Sequence, residues 1–83
     1  MYRVFLKASA RKALNQLPLK AQKSVVHALD ELARLGIHAQ HTKKLQPPIG
    51  GYRTRVGEHR ILFDNNKELI IVHRISKRAD AYR

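Results

Sequence analysis

Residues 2–6 alternate loosely between polar and apolar and are rich in Tyr, Val, Phe and Leu, which predicts a short strand. The period then changes. Ala10, Ala13, Leu14 and Leu17 recur at spacings of three and four, as on one face of a helix, with Ser9 placed to cap it and Pro18 to stop it. Beyond the proline, Ala21, Val25, Ala28, Leu29 and Leu32 keep helical spacing. Lys20, Lys23, His27, Asp30, Glu31 and Arg34 fill the opposite side, and Gly36 supplies the left-handed cap that ends the run. A single proline-containing turn between the helices implies an antiparallel hairpin. Residues 37–50, with Pro47-Pro48 and the Gly50-Gly51 pair at their end, hold no period and read as a loop. From Tyr52 onward the period is two. Tyr52 to Val56 alternates, Gly57-Glu58 interrupts, and His59 to Asp64 alternates again. Asn65-Asn66 marks a second turn, and Glu68 to Ile75 is the most apolar and β-branched segment of the chain. Glycine at the first of two turn positions suits a type II′ hairpin. The predicted order is β-α-α-β-β-β, an α+β fold in which a helix hairpin covers one face of a small antiparallel-dominated sheet.

Composition narrows this to one domain over residues 1–83. A chain of this size buries only about 60% of the surface it exposes when unfolded, which excludes a two-domain enzyme with a deep cleft. The absence of cysteine excludes a disulfide framework, a thiolate nucleophile and a Cys-rich zinc site. No apolar run approaches the roughly 20 residues of a membrane span, so neither a signal peptide nor a membrane partner is expected and a cytoplasmic setting is. Charge changes the picture most. The 17 Lys and Arg outnumber the 6 Asp and Glu, for a net charge of +11, and the excess is spread over both halves of the chain. A field of that sign concentrates polyanions: nucleic acid, an anionic surface or an acidic protein.

Candidate chemistry follows from the hairpin register. With a two-residue loop at Gly57-Glu58, Arg55 lies opposite Arg60 and Arg53 opposite Leu62, so three arginines share one face. Tyr52, Thr54, Val56, Ile61 and Phe63 point the other way and, with Ile70 and Val72, offer a surface for the helices to cover. The arginine face is then expected to be open. Directly opposed like charges destabilise a strand pair, a cost that a bound anion removes, and the guanidinium fork matches two phosphate oxygens. The alternative is a solvated basic face with splayed side chains. After the last strand, Lys77, Arg78 and Tyr82 interleave cations with a ring, as suits unpaired RNA; the alternative is a frayed, solubilising tail. His38-x-x-His41 has a metal-like spacing but neither a carboxylate nor a cysteine beside it, and no metal is expected. His59 and His73 are read as sharing the parity of the arginine face, as surface residues or as an acid or base for a phosphate. No phosphate-binding Gly-rich loop and no nucleophile elbow is present.

Lys43-Lys44-Leu45, followed by Gly50-Gly51-Tyr52-Arg53-Thr54-Arg55-Val56-Gly57-Glu58-His59-Arg60-Ile61-Leu62-Phe63, resembles the bacterial RelE/ParE toxin superfamily. The ending Ile75-Ser76-Lys77-Arg78-Ala79-Asp80-Ala81-Tyr82-Arg83 is similar to that family's C-terminal signature. The resemblance implies the toxin half of a type II toxin-antitoxin pair. In the RelE branch this is an endoribonuclease that cleaves messenger RNA in the ribosomal decoding site, against 16S rRNA, without metal or other cofactor. The implied catalytic set is Arg53, Arg55, Arg60, Arg78 and Tyr82, with Lys43, Lys44, His59, Lys77 and Arg83 binding RNA. An acidic, partly disordered antitoxin is the implied protein partner. The reaction would be attack of the ribose 2′-OH on the adjacent phosphate. Arginine, which stays protonated across the working pH range, is a poor general base, which leaves Tyr82, His59 or solvent for that role. The ParE branch shares the fold and inhibits DNA gyrase without catalysis, and a basic RNA-binding module is a third reading.

Overall fold

The computed structural model describes residues 1–77. The chain opens with strand β1 (Arg3–Leu6) and passes at once into helix α1 (Ala8–Gln16). Lys7, not Ser9, is the N-cap residue of α1. Ser9 lies inside the first turn, where its hydroxyl donates to the backbone carbonyl of His73 at 3.4 Å. Pro18 ends one helix and starts the next: α2 (Leu19–Leu35) begins immediately after it, and the Pro18 carbonyl accepts from the Gln22 amide at 2.8 Å. A proline N–H is not missed at this position, because the first amides of a helix have no intrahelical partner. The Gln22 side-chain amide donates to the Leu14 carbonyl at 3.2 Å and ties the two helices together across the turn.

Gly36 closes α2 with φ +59°, and a second constraint holds it there. A Cβ at Gly36 would stand 2.4 Å from Cζ of Tyr2. The ring therefore packs directly on the glycine backbone, and the Tyr2 amide donates to the Ala33 carbonyl at 2.7 Å. The start of the chain is thereby anchored to the end of α2.

Residues 36–38 form a 3₁₀ turn, and then the structure departs from the expected loop: Thr42–Lys44 is a strand, β2. Three further strands follow, β3 (Tyr52–Val56), β4 (His59–Asn66) and β5 (Leu69–Lys77). The sheet order is β1-β5-β4-β3-β2, with β1 parallel to β5 and every other pair antiparallel. Val56 pairs with His59 across Gly57-Glu58, and Gly57 has φ +59° while Glu58 does not, as a type II′ turn requires. The second turn is displaced from its expected place. Asn65 and Asn66 remain in β4, and Lys67-Glu68 forms the loop, with Lys67 at φ +55°.

Both helices lie against one face of the sheet. Ala10 of α1 and Val25, Leu29 and Leu32 of α2 meet Ile61, Phe63, Ile70, Val72 and Ile75 in one core, joined by Ala39. Val25, Leu29 and Leu32 follow the helical spacing, while Ile61 and Phe63 of β4 and Ile70 and Val72 of β5 come from alternate positions, so the two periodicities seen in sequence meet in this layer. Thr54 is buried among them and shares a 2.8 Å hydrogen bond with the Thr42 hydroxyl, its partner across β2 and β3. No helix among the described residues is long and apolar enough to cross a membrane.

Candidate functional site

The face turned away from the helices is organised in rows by the strand register. One row runs Lys43, Arg53, Leu62, Arg74 across β2, β3, β4 and β5; the next runs Arg55, Arg60, Ser76. Side chains directly opposite one another in a ladder share a face and approach to about 5 Å at Cβ. Four of the implied RNA-contacting residues, Lys43, Arg53, Arg55 and Arg60, are therefore brought together.

Their environments differ. Arg55 and Lys43 are exposed, whereas Arg60 is only 6% exposed, so the expectation of an open face fails at this residue. Its Nη1 donates to the carbonyls of Gly57 at 3.2 Å and His59 at 3.0 Å, so the guanidinium is folded onto the turn that leads into its own strand. Burying a cation is costly unless it is hydrogen-bonded, and the turn carbonyls supply those bonds. Both use Nη1, and Nε and Nη2 keep the geometry of a fork for an anion. Arg53 is half-buried, and its Nη1 donates to the His41 carbonyl at 2.8 Å. That same carbonyl accepts from the Arg55 amide at 3.0 Å, with His41 itself at φ +60°. The Ser76 hydroxyl, directly opposite Arg60, is buried without a hydrogen-bond partner among the described residues.

Three of the remaining implied residues, Lys44, His59 and Lys77, are placed elsewhere. Lys44 pairs with Tyr52 and so lies on the other face from Lys43. His59 pairs with Val56 and with Lys77, and alternation sets both His59 and Lys77 opposite to Arg60. They line a hollow of about 730 Å³ with Leu17, Pro18 and Ala21 on the helix side of the sheet. This corrects the expected parity of His59 and moves Lys77 off the arginine face. Arg78, Tyr82 and Arg83 lie outside the described residues.

His73 does lie on the arginine face, through a register shift between Leu62 and Phe63 where β5 carries one residue more than β4. Its Nε2 is 2.6 Å from Oδ2 of Asp64, a pair that nothing in the spacing of the two residues announced. Arg74 and Ser76 were likewise not singled out in the sequence, because their facing depends on this bulge. Among the described residues no group of three or more His, Asp or Glu side chains is placed to hold a metal ion.

A two-helix layer over a five-stranded mixed sheet in this order has solved counterparts. A chain of the archaeal RelE–RelB complex from Pyrococcus horikoshii superposes with a TM-score of 0.81 at 24% identity, over 96% of this chain and 98% of that one. The fold is that of the RelE-like toxin superfamily. A chain of the RelBE2 toxin–antitoxin complex from Mycobacterium tuberculosis gives 0.79 at 26% identity, over 93% of this chain and 98% of that one. The YoeB/ParE toxin from Agrobacterium tumefaciens gives 0.76 at 12% identity, again over 93% and 98%. No protein-family model and no curated protein matches the chain. In this RelE-like fold the cation rows occupy the sheet face opposite the helices, so the two helices support the site without obstructing it.

Proposed function

We propose that the chain is the toxin of a type II toxin-antitoxin pair and that its sheet face opposite the helices binds and cleaves messenger RNA on the ribosome. The observation that carries this reading is the buried Arg60 guanidinium, fixed by the Gly57 and His59 carbonyls directly opposite the exposed Arg55. A fixed cation beside a mobile one forms a preorganised site for a group that gains negative charge as it reacts. Solved complexes of similar fold from Pyrococcus horikoshii and Mycobacterium tuberculosis pair a toxin with an antitoxin, which supports a cognate antitoxin here. With a net charge of +11, the complementary partner is acidic.

The chemistry that fits is attack of a ribose 2′-OH on the adjacent phosphate. The O2′–P bond forms and the P–O5′ bond breaks, leaving a 2′,3′-cyclic phosphate and a 5′-hydroxyl. One proton leaves the 2′-oxygen and one reaches the 5′-oxygen. Arg60 and Arg55 hold the phosphate in line and balance its growing charge, with Arg53 and Lys43 along the next row for the flanking backbone. Tyr82 and Arg78, which lie outside the described residues, are the groups that the resemblance implies for the two proton transfers. Because His59 lies on the helix side of the sheet, it is set aside as the base.

Mapping new 5′ ends on a translated messenger RNA, with and without ribosomes, tests this. Ends that form only with ribosomes, and vanish when Arg55 and Arg60 are both replaced by alanine, are the expected result. Uncleaved RNA together with inhibited DNA supercoiling would replace it with the gyrase reading that the YoeB/ParE neighbour keeps in view. Salt-sensitive RNA binding without cleavage would leave a binding module.

A further inference from the structure

On the sheet face opposite the helices, Asp64 does not fit phosphate binding. It stands on the arginine face of β4, two positions beyond Leu62, and a carboxylate there repels the backbone that the arginines attract. It is also held in place from two sides. His73 Nε2 lies 2.6 Å from Oδ2, and a Cβ on Gly51 would come within 2.7 Å of Oδ1, so the carboxylate rests against the bare glycine backbone. Beside it the loop after β2 folds over the end of β3 and leaves a concavity of about 250 Å³. Leu45, Ile49 and Leu62 form its apolar lining, and Asp64 and His73 its polar rim.

From this geometry we infer that the concavity is a nucleobase subsite and that it takes guanine. The inference rests on the RNA reading of the same face. The space is smaller than the roughly 300–1,000 Å³ of a drug-sized pocket and suits a single ring system. It adjoins the arginine rows, since Leu62 is directly opposite Arg53, so a base entering it stays attached to a backbone lying along Arg53, Arg55 and Arg60. A carboxylate only accepts hydrogen bonds, and its partner must therefore donate. Guanine alone among the four bases presents two adjacent donors, N1–H and N2–H, on its Watson–Crick edge. Adenine and cytosine offer one amino group beside an acceptor, and uracil one imino group between two carbonyls; both arrangements set a lone pair against Asp64. Single-stranded RNA is commonly read in this way, through the edges of splayed bases.

The test uses the purified chain and RNA hexamers bearing 2′-O-methyl riboses, which lack the nucleophile and so cannot be cleaved. Hexa-adenylate is compared with hexamers carrying one guanine, cytosine or uracil. The guanine oligomer is expected to bind roughly tenfold more tightly than the other three, the discrimination of one good bidentate contact. Asp64→Asn, which places an N–H where guanine also has one, is expected to bring the guanine oligomer down to the affinity of hexa-adenylate. Equal binding of all four oligomers by the wild-type chain overturns the subsite and leaves the RNA reading standing, whether or not the variant folds. A guanine preference that survives Asp64→Asn in a folded variant also overturns it. If no oligomer binds, the subsite is overturned, and the RNA reading is decided separately by the 5′-end mapping on ribosomes.

Discussion

Arg55 and Arg60 are opposite one another, yet the structure predicts that removing them changes stability in opposite directions. Replacing Arg60 by alanine takes away a guanidinium that is 6% exposed and donates to two turn carbonyls, at 3.2 and 3.0 Å. Hydrogen bonds to charged groups contribute about 1.5–3 kcal/mol each, but these two share one nitrogen, and losing the buried charge also removes its desolvation cost. Relief of the like-charge opposition returns about 0.2–1 kcal/mol. The net loss is about 1–2 kcal/mol, out of about 4–12 kcal/mol for a chain of this length. The variant therefore stays folded, with its melting temperature lowered by roughly 5–15 °C. Arg55 is exposed, and its replacement by alanine recovers the repulsion alone, so that variant is expected to be as stable as the parent or slightly more so. Urea and thermal unfolding read the stability; 5′-end mapping on ribosomes reads activity. Each variant is expected to lose about 10²- to 10³-fold in cleavage, the effect of removing one preorganised donor to a developing oxyanion. An Arg60→Ala protein that melts with the parent would refute the argument that this guanidinium holds the turn. One that melts lower but cleaves at the parental rate would refute its role at the phosphate.

Gly36→Ala is expected to cost at least about 2 kcal/mol, because the backbone region is restricted to glycine and the new Cβ would meet the Tyr2 ring at 2.4 Å; a melting point within a few degrees of the parent would contradict it. Phe63→Ala is expected to cost about 3–5 kcal/mol, since the side chain is fully buried in the core and stacked on Tyr52, and urea unfolding measures it. RNA binding is expected to weaken with salt at a slope of about −3 in log K against log salt, the value for four cations on a single strand. Those four are Lys43, Arg53, Arg55 and Arg60. Replacing Lys43 by alanine is expected to make the slope less negative by about 0.7, whereas Lys44→Ala, on the other face, leaves it unchanged.

The parts of the fold that were legible in the sequence are those fixed by local chemistry. Pro18, Gly36 and the spacing of Val25, Leu29 and Leu32 delimit the helices correctly, and Gly57-Glu58 fixes the hairpin register that sets Arg55 against Arg60. The strand β2 was not legible, because Thr42-Lys43-Lys44 is short and polar on both sides and is recruited by the ladder with β3, not by any burial of its own. Asn65-Asn66 has turn composition, yet the register with β5 carries it into the strand and leaves Lys67 to take the positive φ. In the site, alternation tells which face a residue is on but not how deep it sits, so Arg60 could be assigned a face while its burial could not be foreseen. The pairing of His73 with Asp64 depends on a bulge, and a bulge reverses the parity of everything beyond it.

The burial of Arg60 also explains why the site and the hairpin are inseparable. The carbonyls that accept from its guanidinium belong to Gly57 and His59, on either side of the residue that completes the turn, and the turn exists because Gly57 adopts φ +59°. The same backbone geometry that sets the register thus holds the cation in place. A guanidinium on an exposed side chain, as at Arg55, loses rotamer freedom whenever it binds, whereas Arg60 has lost that freedom on folding. An anion arriving on this face meets one charge already fixed and one able to follow it. Under the proposed cleavage, that division would suit a phosphate whose charge and geometry change, the fixed member setting the line of attack and the exposed member accommodating the displacement.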